Sequence, residues 1–72
     1  MNRVFVFDVT HKGEYKGQLG FEYCPLFPIT EEEIRGFVEK KIPSLNGKEI
    51  KIEPILTIEV NKYRKYKVYR KG

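Results

Sequence analysis

Apolar residues alternate with polar ones near both ends of the chain and fall at helical spacing once, in the middle. Residues 3–10 predict a first strand. Phe5, Phe7 and Val9 share one face, and Val4 and Val6 share the other. Apolar residues on both faces predict a central, well-covered strand. Residues 11–17 are polar, hold two glycines and predict a loop short enough for a hairpin. Residues 18–24 predict a second strand, with Leu19, Phe21 and Tyr23 facing inward. The apolar run Pro25-Leu26-Phe27-Pro28 ends it.

A helix start follows. Thr30 has Glu33 three residues later, the spacing of a capping box, and Ile29 and Ile34 can staple the first turn. Glu31, Glu32 and Glu33 sit where the helix dipole favours anions. Ile34, Phe37, Val38, Ile42 and Leu45 make one apolar stripe, and Lys41 lies at its edge, where the side chain has to snorkel. Lys40 and Lys41 suit the C-terminal end, and Pro43 closes it. Gly36 faces away from the stripe. It reads either as a tolerated glycine or as a place for close approach of a partner across Glu32, Gly36 and Lys40.

Residues 48–60 alternate in one phase. Ile50, Ile52, Pro54, Leu56, Ile58 and Val60 share parity, so they are expected on one face. Proline removes a ladder donor, which predicts an edge strand or a bulge near Pro54. A final strand is expected at residues 64–70. A three-residue loop, 61–63, places Val60 opposite Arg64, Ile58 opposite Tyr66, Leu56 opposite Val68 and Glu59 opposite Lys65. That register keeps Lys65 and Lys67 off the core face.

The element order is ββαββ, an α+β fold with one helix on a four-stranded sheet. In element order alone this resembles the β-grasp architecture of ubiquitin-like proteins. The resemblance implies strand order 2-1-4-3, with the first and last strands parallel at the centre and the third strand at an edge. A fully antiparallel sheet is the competing arrangement. Fold analogy implies nothing about activity.

Seventy-two residues predict one domain, 1–72, with a thin stability margin. Cys24 is the only cysteine and His11 the only histidine, which excludes an internal disulfide and most zinc arrangements. No metal or other cofactor is expected. No apolar run reaches transmembrane length, and the expected location is cytoplasmic, with a reduced thiol. No phosphate loop, dinucleotide fingerprint or nucleophile elbow occurs, so a non-enzyme is expected.

Charge adds the functional signal. Residues 62–72 hold six of the fourteen basic residues and three of the five tyrosines, and they hold no acid. Residues 1–61 carry eight basic and ten acidic side chains, so the positive charge is local. Interleaved cations and aromatic rings can neutralise phosphates and stack on bases. The candidate nucleic-acid-binding residues are therefore Lys62, Tyr63, Arg64, Lys65, Lys67, Tyr69, Arg70 and Lys71. Non-specific DNA or RNA binding is the leading expectation. The alternative is a protein-interaction module using the third strand as an edge, or the helix face at Gly36. An edge-strand homodimer and an anionic membrane surface are further partners of this kind.

Overall fold

A computed structural model describes residues 2–60 in full and, beyond them, only the backbone of Tyr66–Arg70. The chain forms β1 (Asn2–His11), β2 (Glu14–Tyr23), α1 (Glu31–Lys41), a 3-10 turn (Pro43–Leu45) and β3 (Lys51–Val60). The helix lies on a three-stranded antiparallel sheet of order β2-β1-β3. Of the C-terminal segment, where a fourth strand is expected, Lys62, Tyr63, Arg64, Lys65 and Lys71 lie outside the described residues.

The sheet corrects the preferred topology. The second neighbour of β1 is β3, and the two run antiparallel. The 2-1-4-3 order of the β-grasp resemblance would put the last strand there, running parallel. The fully antiparallel alternative prevails between these strands. Its register explains why: Val4 faces Ile58, Val6 faces Leu56 and Arg3 faces Glu59. Antiparallel ladders are also slightly more stable per residue than parallel ones. β3 pairs with β1 along its whole length, so that side of it is not an open edge.

The first hairpin is tighter than the expected loop. Only Lys12 and Gly13 separate the strands, with φ of 51° and 78°. Two successive positive φ angles make the turn whose twist matches that of paired strands. The hairpin is irregular between Val9 and Thr10, where Lys16 is the extra residue. Gly20 has a packing role on β2: a Cβ built there would lie 3.0 Å from Val4 Cγ1.

Thr30 caps α1 as expected. Its backbone is extended, and its hydroxyl accepts from the Glu33 N–H at 3.1 Å. Ile34 and Val38 are buried, as is Leu45 in the 3-10 turn. They meet Phe7 and Val9 of β1, which are fully buried, to form the core. Phe37 wedges edge-on against Phe21, with ring centroids 5.1 Å apart, and against Phe7 at 6.5 Å. The Lys41 ammonium lies 5.6 Å from the Phe37 ring centre, so its stem covers the stripe edge as expected.

β3 carries a bulge, and it reverses the expected face of half the strand. Val6 pairs with Leu56 but Phe7 pairs with Pro54, leaving Ile55 as the extra residue. Directly paired residues share a face. Ile52 and Pro54 therefore lie with Val9 and Phe7 on the helix side. Beyond the bulge Thr57 and Glu59 take that side, opposite Phe5 and Arg3. Leu56, Ile58 and Val60 pair with Val6, Val4 and Asn2 on the side away from the helix. The single phase expected for residues 50–60 is broken next to the proline, which has no N–H to place in the ladder.

Two predictions follow from local geometry. A Cβ at Gly36 meets nothing within 4 Å. Gly36→Ala is expected to stabilise the chain by about 1 kcal/mol, raising Tm by about 4–8 °C in thermal circular dichroism. At the hairpin, Lys16 Nζ donates to Glu14 Oε1 at 3.0 Å. That bond, and then the Lys16 charge, hold the Glu14 carboxyl below its ordinary value. A lowered carboxylate contributes stability above its unfolded pKa, and the contribution is lost as pH falls through the folded one. Lys16→Ala should raise the Glu14 pKa toward the ordinary value in an NMR titration.

Candidate functional site

For three of the sequence-predicted residues, Lys67, Tyr69 and Arg70, the structure describes the backbone alone, within Tyr66–Arg70. The site that the described residues do form is a groove between α1 and β3. Its origin is a mismatch of widths. A helix is about 10 Å across and strands are about 4.8 Å apart, so one helix roofs about two strands. The α1 residue Phe37 seats against β1 and β2. Of β3, Ile52 packs against the core, while past the bulge Thr57 lines the groove.

The groove has a volume of about 990 Å³. Phe5, Ile50, Ile52 and Thr57 line it from the sheet and from the segment leading into β3, and Ile29, Ile34 and Arg35 from the helix side. Arg3 and Tyr23 line its far end, and Glu31 and Glu32 the side of the first helical turn. Phe5 stacks on Phe7 with centroids 5.1 Å apart, which joins this end of the sheet to the core. Arg3 reaches Glu59 at 4.0 Å; the arginine side chain is 42% exposed and the glutamate 18%. A half-exposed pair at this distance adds little stability. It does place one fixed cation beside an apolar floor.

A polar strap holds the groove's other end. Arg35 Nη2 donates to the Lys48 carbonyl, and Arg35 Nε lies 3.6 Å from Glu39 Oε2. The same Glu39 oxygen accepts the Gly47 N–H at 3.0 Å. One carboxylate thus ties the helix to the turn that leads into β3. His11 has a comparable role: its Nδ1 meets the Glu49 carbonyl, tying the hairpin to the approach of β3. The lone histidine is a strut at this point in the fold. Two large apolar side chains stand outside the core, Leu26 at 84% and Phe27 at 70% exposure, in a turn closed by the Phe27 N–H on the Cys24 carbonyl at 3.1 Å.

The groove lining holds no histidine, cysteine or serine, and the Thr30 hydroxyl is engaged in its cap. Among the described residues no group of three or more His, Cys, Asp or Glu is placed to hold a metal ion. The chemistry on offer is apolar contact, three cations (Arg3, Arg35 and Lys51), the Tyr23 phenol and two carboxylates at a helix start. That combination suits docking.

Sequence reasoning did not find Arg3, Phe5 and Thr57 as groove residues. The usable signal was one of size: one helix of 11 residues cannot cover strands of 10 residues in three columns. No protein-family model, curated protein or solved structure matches this chain.

Removing the strap tests its role. Glu39→Ala is expected to cost about 1 kcal/mol in urea unfolding, because it removes the ion-pair partner of Arg35 Nε and the acceptor of the Gly47 N–H.

Proposed function

We propose that the chain is a small non-enzymatic protein that binds DNA or RNA through a basic and aromatic fourth strand at its C-terminus. One observation carries this reading. Six cations and no acid fall within residues 62–72, while residues 1–61 have a net charge of −2. A polyanion is drawn to one end of the molecule and repelled by the rest. The backbone of Tyr66–Arg70 supports a strand here, since it runs antiparallel beside β3. Val60 comes opposite Tyr66, Ile58 opposite Val68 and Leu56 opposite Arg70. That pairing is two residues displaced from the three-residue-loop register and keeps its parity. Glu59 comes opposite Lys67 in place of Lys65.

In this reading Lys65, Lys67, Arg70 and Lys71 neutralise phosphates, with Lys62 and Arg64 in support. Tyr63 and Tyr69 stack on bases, at about 1–3 kcal/mol each. Binding is non-specific or shape-based, because one strand offers few base-edge readers. A cytoplasmic location suits it. No described helix is long and apolar enough to cross a membrane.

A second reading, a protein-interaction module, is favoured by the open α1–β3 groove and by exposed Leu26 and Phe27. The Gly36 face of the helix is also open.

Salt separates the two. With about six phosphates neutralised, log affinity for duplex should fall with log salt at a slope near −5. Replacing Lys65, Lys67 and Lys71 by alanine should shrink the slope by about 3. Absence of micromolar binding to single- or double-stranded DNA or RNA at low salt overturns the leading reading.

A further inference from the structure

The cations and rings of the C-terminal segment have a continuation in the rest of the sheet. Directly paired residues share a face, and the proposed fourth strand completes two rows that cross the sheet on the helix side. One row runs Tyr23, Arg3, Glu59, Lys67 from β2 to the fourth strand. The next runs Phe21, Phe5, Thr57, Tyr69. Phe37 of α1 sits edge-on against Phe21, so the helix covers the β2 end of the second row. Tyr23, Arg3, Phe5 and Thr57 all line the α1–β3 groove. Lys67 and Tyr69 extend these rows to the sheet edge. Arg70 comes opposite Leu56 and belongs to the other face.

We propose, resting on the nucleic-acid reading, that the partner is single-stranded, with its phosphates along the fourth strand and its unpaired bases in the α1–β3 groove. Three observations carry this. First, the chemistry changes across the width of the groove. Toward the fourth strand, Glu59 lies between two cations: Arg3 reaches it at 4.0 Å, and Lys67 is its partner in the ladder. One carboxylate cannot offset both, so that row keeps a surplus positive charge. The floor at Phe5, Ile52 and Thr57 is uncharged. The helix side carries Glu31 and Glu32, which repel phosphate and accept hydrogen bonds from base N–H groups. A nucleotide has the matching gradient, anionic at one end and an uncharged, donor-bearing ring at the other. Second, the groove offers flat partners. Phe5 and Tyr23 are each half-buried, with part of the ring open, and the half-exposed Arg3 adds a planar cation. Unstacked bases pack on aromatic rings and on guanidinium planes alike. Third, at about 990 Å³ the groove has the size of sites that hold a small molecule whole, room for a base with its sugar. A duplex keeps its bases stacked inside and turns phosphates to both rims, where Glu31 and Glu32 oppose it.

The test is a titration of the full chain with an oligothymidylate of about ten nucleotides, and with a duplex of the same length, at one low salt concentration. The single strand should bind at least about tenfold more tightly. In NMR spectra it should shift the ring protons of Phe5 and Tyr23 and the methyl of Thr57. Arg3→Lys keeps the charge and loses the plane. It should weaken single-strand binding roughly fivefold and leave duplex binding unchanged, with an unchanged Tm. Phe5→Leu should have the same selective effect. Equal affinity for the two probes overturns the proposal. So do shifts confined to residues 62–72, or a single-strand preference indifferent to Arg3→Lys; each of these leaves the nucleic-acid reading standing. Absence of binding to both probes overturns that reading and the proposal together.

Discussion

One helix can roof only about two strands, and most of this molecule follows from that limit. Phe37 is the joint. It seats between Phe7 and Phe21, fixing α1 over β1 and β2. β3 is then the strand without a roof, and the residues it turns toward the helix side past the bulge are Thr57 and Glu59. Polar groups at those positions are consistent with a wet groove. Arg3 joins Glu59 there, and the Glu39 strap keeps the helix from sliding across.

The bulge at Ile55 is the second constraint. Sheet side chains have a period of two, so one extra residue sends every later side chain to the other face. Leu56 and Ile58 are thereby withdrawn from the helix side and set against Val6 and Val4. The same residues that would have filled the groove build the aliphatic block on the opposite face. The groove and the aliphatic pairing on the opposite face are thus consequences of one backbone irregularity beside a proline.

Local features were legible in the residues themselves. The Thr30 cap, the acidic first turn and the stripe through Ile34 and Val38 depend on groups a few positions apart, and all three stand in the structure. The first two strands and the bulge near Pro54 were legible for the same reason. The hairpin turn was placed too loosely, because Lys12 at positive φ carries no glycine-like signal. The candidate nucleic-acid residues were legible only as charge and composition. Which residues line the groove was not legible, since Arg3, Phe5, Ile34 and Thr57 are brought together from three separate elements.

The sequence by itself determined roughly where the first three strands run, where the helix starts, and that the positive charge gathers after residue 61. These depend on nearest neighbours and side-chain period. The tertiary structure alone decided that β3 lies antiparallel beside β1 and that its aliphatic half faces away from the helix. Strand order is a competition between pairings far apart in sequence, won here by matched aliphatic partners such as Val4–Ile58 and Val6–Leu56. The facing of β3 depended on a single extra residue, whose effect on parity appears only once both strands are laid side by side.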